Sequence, residues 1–244
     1  MTTKKIFEFL NILAPVELAE SWDNVGLLVN CDNEIKKVLV CLDITTQTIN
    51  EAINEQCDLI VSHHPVIFKA LKNIKSNDLV FKLIKNNISA ICMHTNLDIA
   101  KGGVNDILAN KLNLTEVIPF DCGGRIGTIK ETSVTELAKT CKEIFNSHIR
   151  YTDGERLVTK LAVVGGAGAF IDEAYKLGAE CLITGDVKHH DGIDAKELGI
   201  SLIGAGHFAT EVPVVNYLAK SLENNFKNLI IYESKINTEP FMVV

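Results

Sequence analysis

The sequence predicts an α/β fold of two related three-layer domains with mostly parallel sheets. Three observations predict it. Apolar, β-branched runs alternate with helical patterns, the mark of parallel strands joined by crossover helices. These runs are almost continuously apolar, as in strands covered on both faces. The third observation is an internal repeat. The segment from Lys37, KVLVCLDITTQTINEAINEQCDLIVSHH, lies over the segment from Lys160, KLAVVGGAGAFIDEAYKLGAECLITGD. A single gap brings Glu51 onto Glu173, Ala52 onto Ala174 and Ser62 onto Thr184. Each copy reads strand, turn, helix, strand and polar tip. That pattern points to a duplicated unit, although all βαβ units share its hydrophobic periodicity.

In the N-terminal MTTKKIFEFLNILAP, Ile6, Phe9, Leu10 and Leu13 share one helical face, so it forms a packed amphipathic helix. It lacks the unbroken apolar stretch and small-residue cleavage site of a signal peptide. Apolar, β-branched strands follow at Val38–Leu42, Leu59–Val61, Ser89–Met93, Leu161–Val164, Cys181–Thr184, Ser201–Ile203 and Leu229–Tyr232. Helical patterns lie between them at Thr45–Glu55, Ser76–Lys85, Val104–Lys111, Val134–Ile144, Ala169–Leu177 and Glu211–Leu222. The turn residues of PFDCGGRIG, Pro119–Gly127, set the break between the halves.

Composition narrows the partners. A formal charge of -7 and a pI near 5.5 argue against nucleic acid, because phosphate contacts need a basic face. No run of Lys or Arg forms an arm or a membrane patch, and no stretch approaches the ~18 apolar residues of a membrane span. The expected compartment is the cytoplasm. Seven cysteines without a CxxC pair read as reduced, buried small hydrophobes.

Open parallel sheets bind ligands beyond the carboxyl ends of their strands. This chain puts its histidines and acids there. His63 and His64 follow DLIVS, His94 follows AICM, Asp186 follows CLITG, and His207 follows SLIGAG. Successive residues of an extended chain point in opposite directions, and Pro65 favours extension at His64. Two adjacent imidazoles are therefore suited to two different ions; the plainer alternative is a pair of exposed loop histidines. Asp98, four residues after His94, faces the same cleft or caps the helix after Gly102-Gly103. Glu211, after a Thr210 cap, opens a helix, where it is either a ligand or a complement to the helix dipole.

Three histidines and two carboxylates, with no thiolate, suit Zn, Mn, Fe or Co. Five ligands underfill two divalent ions unless a carboxylate bridges them. Two carboxylates against two dications leave roughly two positive charges, which attract a small anionic ligand and acidify bound water.

Several stretches together carry a resemblance. They are Trp22-Asp23-Asn24-Val25-Gly26-Leu27, Ser62-His63-His64-Pro65, His94 to Asp98, Gly124-Arg125-Ile126-Gly127, Thr184-Gly185-Asp186 and Gly206-His207-Phe208-Ala209-Thr210-Glu211. The chain resembles the family of GTP cyclohydrolase 1 type 2 homologs, which are also described as dinuclear metal-binding proteins. The resemblance implies that His63, His64, Asp98, His207 and Glu211 hold the two divalent ions, with Glu211 bridging. It implies a first domain of residues 1–118 plus 213–244, a second of 119–212, a metal site in the cleft between them, and a ring-shaped homohexamer. Pro119 to Lys160 is too short for the domain that some relatives insert, so this is the short form. The family usually carries Glu where Asp186 stands.

The function that follows is a metal-dependent hydrolase of a nucleotide or related heterocycle, with His94 handling protons. The rivals are a metal-trafficking or cofactor-assembly protein without turnover, and an interaction scaffold. Asp186 and His190, in a polar loop reaching Asp191, read as support for the ligands or as substrate contacts; the plainer alternative is a solvated loop. The stretch WDNVG either lines the cleft or is structural, with Trp22 stapling the N-terminal helix and Asn24 and Gly26 forming a turn. The glycines of VVGGAGAF lack the full spacing of a phosphate-binding loop.

Overall fold

The computed structural model describes residues 1–120 and 123–242. The chain divides into two units, Met1–Lys101 with Val214–Pro240, and a second built on Gly102–Pro213. The break after Lys101 lies ahead of the expected Pro119–Gly127 turn, whose Asp121 and Cys122 lie outside the described residues. The reason is packing. The helix and strand spanning residues 104–119 join the second unit's sheet.

The first unit contains α1 (Thr3–Leu13), β1 (Gly26–Val29), β2 (Lys37–Cys41), α2 (Thr46–Asn54) and β3 (Leu59–Ser62). It continues through α3 (Leu79–Lys85), β4 (Ser89–Cys92) and α4 (Thr95–Ile99). After the second unit, the chain returns with α10 (Pro213–Asn225) and β11 (Ile230–Glu233). The strand order is β1-β4-β3-β2-β11, and every pairing is parallel except that of β1 with β4. Leu39, Cys41, Ile60 and Ala90 pack with Ile49 and Ala52 of α2 and Val80 and Leu83 of α3. The alternate residues Val38, Val40, Leu59, Val61 and Ile91 are also buried, so this sheet is covered on both faces. Phe9 and Phe226 meet edge to face at 5.3 Å, bringing the ends of α1 and α10 together.

The second unit contains α5 (Val104–Lys111), β5 (Thr115–Pro119), β6 (Arg125–Ser133), α6 (Val134–Phe145), β7 (Arg150–Tyr151) and β8 (Leu157–Ala167). It is completed by α7 (Ile171–Lys176), β9 (Cys181–Asp186), α8 (His189–Leu198), β10 (Ser201–Gly204) and α9 (His207–Glu211). Its sheet, β5-β6-β8-β9-β10-β7, is mixed: β8, β9 and β10 are parallel, and the outer pairings are antiparallel. Ala162, Val164, Leu182 and Leu202 pack with Ile171 and Ala174 of α7 and Ala195 of α8. Leu161, Val163, Ile183 and Ile203 are buried on the opposite face.

Both copies of the repeat fold as parallel strand–helix–strand units, β2-α2-β3 and β8-α7-β9. The aligned hydroxyls each stand at the fourth residue of their strand, β3 and β9. Ser62 Oγ donates to the His64 carbonyl at 2.8 Å, and Thr184 Oγ1 to the Gly168 carbonyl at 2.9 Å.

Three expectations need correction here. The polar stretch after Asp186 is not a loop, because His189–Leu198 is helical, started by Asp191 accepting the Lys188 N–H at 2.6 Å. Ala195 is this helix's one residue of the buried class, so it shows no apolar stripe to read. The helix expected at Glu211–Leu222 is two helices. Glu211 ends α9, and Thr210 lies inside it, donating back to the Gly206 and His207 carbonyls at 3.0 and 2.9 Å. Finally, Asp98 sits within α4, and it is Asp106 that accepts the Gly102 N–H at the start of α5, at 2.6 Å.

Cys41, Cys57, Cys92, Cys141 and Cys181 are buried free thiols, and Cys31 is partly exposed. Burial pushes the Cys141 thiol up to about 12, which leaves it unreactive. Cys122 lies outside the described residues.

Candidate metal centre

In the first unit the site grows out of the carboxyl ends of β2, β3 and β4, which lie side by side. The ladder runs two residues beyond β3. His63 N–H donates to the Cys41 carbonyl at 3.2 Å, and His64 N–H to the Leu42 carbonyl at 2.9 Å. Both histidines are thereby fixed to the sheet edge. The chain bends at this point, so the opposed directions expected of an extended pair do not hold. The rings of His63 and His64 tilt together with centroids 5.0 Å apart, and His94 stands 5.2 and 5.4 Å from them. One ligand nitrogen from each of the three lies within 4.8 Å of the others. Asp98 Oδ1 approaches His63 Nε2 at 3.5 Å.

Each ring is held through Nδ1. His63 Nδ1 meets the Met93 carbonyl at 2.8 Å, His64 Nδ1 meets Asp43 Oδ1 at 2.7 Å, and His94 Nδ1 meets Asp23 Oδ1 at 2.8 Å. Carbonyl and carboxylate oxygens only accept, so Nδ1 carries the hydrogen, and in a neutral ring Nε2 then keeps the lone pair. This is how metal-binding histidines are oriented in proteins.

Asp23 and Asp43 were not singled out by the sequence. Asp43 stands two residues beyond the buried strand β2, as His64 stands two beyond β3, so the strand-end rule could have found it. Asp23 lies in the Trp22–Leu27 stretch, with no strand before it to mark it. Thr95 donates to it through both Oγ1, at 2.6 Å, and N–H, at 3.1 Å. Burial raises the Asp23 carboxyl, but its hydrogen bonds with His94 and Thr95 win and hold it well below the usual carboxylate range.

Trp22 is no staple on α1. It is 58% exposed, and its ring neighbours are Phe68 at 5.9 Å and His94 at 6.2 Å. Gly26 has φ +100°, and a Cβ there would press on Phe7 of α1 at 3.3 Å, so its role is structural.

The second unit has a smaller group of its own at the ends of β8, β9 and β10. His207 opens α9 and Glu211 closes it, so the i,i+4 spacing puts His207 Nε2 3.1 Å from Glu211 Oε2. His207 Nδ1 is held by Asp186 Oδ2 at 2.8 Å. The hydrogen bond to Glu211, then its charge and Asp186, push the His207 imidazole up to about 9 against the opposing effect of burial. Glu211 is only 4% exposed. Room for it comes from Gly166, at φ +66° in the β8 bulge, where an added Cβ would lie 1.9 Å from Glu211 Oε1. Gly166 N–H donates to Thr210 Oγ1 at 3.1 Å. The glycine run of β8 thus admits a carboxylate; it is not an anion cradle. His190 is exposed in the first turn of α8 beside His189, and it is Asp186 that reaches His207.

Arg125 is structural. It is buried, pairs with Asp106 and donates to the Gly123 and Gly124 carbonyls, pinning the turn that precedes β6.

The family profile of Duf34/NIF3 (NGG1p interacting factor 3) matches residues 1–240. The chain belongs to the DUF34/NIF3 family. It is 35% identical to a Clostridium acetobutylicum protein named GTP cyclohydrolase 1 type 2 homolog, over 97% of this chain and 98% of that one. It is 37% identical to a Helicobacter pylori protein named GTP cyclohydrolase 1 type 2, over 95% of each. A solved Staphylococcus aureus hypothetical protein superposes with TM-score 0.93 at 29% identity, over 100% of this chain and 99% of that one.

In each unit of this NIF3-family chain, imidazole nitrogens and carboxylates stand together without a thiolate, and each histidine is oriented through Nδ1. Donors of that chemistry fit a divalent transition metal. Outer hydrogen bonds of this kind typically matter 10–100-fold for metal affinity. Asp43→Asn and Asp186→Asn are therefore each expected to weaken zinc binding by about 10–100-fold, with thermal stability of the metal-stripped protein little changed. Titration of zinc against a competing chelator checks this; unchanged affinity in both variants would show that the rings need no such support. Among the described residues, no helix is long and apolar enough to cross a membrane.

Proposed function

We propose that the protein is a metal-dependent hydrolase of a nucleotide or related heterocycle, with two divalent ions held by His63, His64, Asp98, His207 and Glu211. The observation that carries this reading is that His63, His64, His94 and His207 each commit Nδ1 to a fixed acceptor, while His63 and His207 turn Nε2 towards a carboxylate, Asp98 at 3.5 Å and Glu211 at 3.1 Å. Glu211, buried beside His207, is the carboxylate assigned to bridge the ions. Bound divalent ions supply Lewis acidity and lower the pKa of water. His94 holds or releases a proton at Nε2, and the Asp23 carboxylate stabilises the imidazolium that forms. The name of the Helicobacter relative supports a guanine nucleotide as substrate class. The same reading has the protein acting as a homohexamer in the cytoplasm.

A second reading, ion binding without turnover, draws on one observation. The His94 nitrogen lies in the same 4.8 Å group as those of His63 and His64, where it would serve as a third imidazole ligand. His94→Gln separates the two. The hydrolase reading expects wild type to bind two zinc or manganese ions per chain by elemental analysis and to hydrolyse a nucleoside triphosphate. His94→Gln should keep both ions and lose turnover by about 10²–10⁴-fold. Loss of an ion from His94→Gln, with no turnover in wild type, selects the binding reading. One ion or fewer in saturated wild type sinks the dinuclear assignment.

A further inference from the structure

A cavity of about 260 Å³ in the second unit is lined by β7, the β9–α8 turn, α8 and β10. Its polar wall is basic in a chain of net charge -7. Arg150, Lys188, His189 and Lys196 line it together, and no Asp or Glu is among its described lining residues. Tyr151 and Ile193 contribute apolar surface. Arg150 Nη1 donates to the Val187 carbonyl at 3.1 Å, which fixes the guanidinium at the cavity and leaves the rest of its five-donor fork for another acceptor. Two acids stand near the wall without lining it: Asp191 Oδ2 accepts the Lys188 N–H at 2.6 Å, and Asp153 pairs with Lys196 at 4.0 Å. The cavity also lies next to the candidate metal group, since the residue before Val187 is Asp186, whose carboxylate holds His207.

We propose that this cavity is a subsite for the phosphate chain of the ligand. Ligand pockets usually run about 300–1,000 Å³, so 260 Å³ suits part of a nucleotide and not the whole. A guanidinium and two ammonium groups lining one cavity that no described Asp or Glu lines favour a multiply charged, phosphate-type anion over a monoanion. The role of the subsite rests on the hydrolase reading, because it would deliver the phosphorylated end of a substrate beside His207. Whether the anion binds there does not.

The test is calorimetric titration of inorganic triphosphate into the full chain, stripped of metal and kept in chelator. Binding is expected at low ionic strength and should weaken as salt rises. Lys188→Ala and Lys196→Ala, both exposed positions, should each weaken it about tenfold, and Arg150→Ala more. Lys188→Arg should restore it. Melting curves confirm that the variants are folded. Absence of binding, or equal affinity in all the alanine variants, overturns the proposal. Binding that appears only with added zinc and ignores Lys188 and Lys196 puts the anion on the metal, overturning the subsite while sparing the hydrolase reading. Conversely, metal-free binding lost in the lysine variants sustains the subsite even if elemental analysis finds no ions.

Discussion

Gly166→Ala is expected to destabilise the protein by about 3–5 kcal/mol, a loss of very roughly 6–20 °C in Tm for a chain of this size. Two effects combine. At φ +66° an L-residue costs about 1–2 kcal/mol. The new Cβ would also lie 1.9 Å from Glu211 Oε1 and 3.0 Å from its Cδ, and Glu211 is too buried to swing into water. Either the carboxylate leaves His207 or the β8 bulge shifts, so metal affinity should fall as well. Gly199→Ala is the matched control, because Gly199 has φ +77° and nothing within 4 Å of its added Cβ. It should cost the conformational term alone, about 1–2 kcal/mol. Thermal melting of the two variants decides the matter: equal losses would show that Gly166 is present for its backbone and not for Glu211.

Glu211→Gln is expected to lower affinity for at least one ion by about 100-fold or more, the upper end of what supporting residues alone contribute. A neutral amide keeps the shape and still accepts a hydrogen bond from His207, but it is a poor bridge between dications. At a fixed saturating metal concentration, a 100-fold loss removes about 2.7 kcal/mol of metal-linked stability. The metal-free protein should lose less, about 1–3 kcal/mol, because the variant weakens the charged contact with His207 at 3.1 Å. That figure replaces a helix-dipole argument, since Glu211 ends α9 instead of opening a helix. Melting wild type and variant with and without zinc separates the two terms. Equal stabilisation of both by zinc would remove Glu211 from the ligand set.

By itself the sequence determined the α/β class, the repeated strand–helix–strand unit and the strand-end positions of His63, His64, His94, Asp186 and His207. These follow from local causes. A buried strand must be apolar, and the first polar residues beyond it mark the sheet edge where ligands sit. Outer strands were less legible. β5 is exposed throughout and β6 runs into the polar KETS, so their state is set by the neighbour's hydrogen-bond ladder and not by their own pattern.

The tertiary structure alone decided how the side chains are held. Asp23 reaches His94 and Thr95 across about seventy positions of sequence, and Asp43 reaches His64 across about twenty. Gly166 makes room for a carboxylate 45 positions away, and Arg150 lines one cavity with Lys188 and Lys196 because β7 pairs with β10. Periodicity reports which face of an element is buried. It carries no information on which distant residue will stand 2.8 Å from a ring nitrogen, because that distance is set by the packing of elements the pattern treats separately.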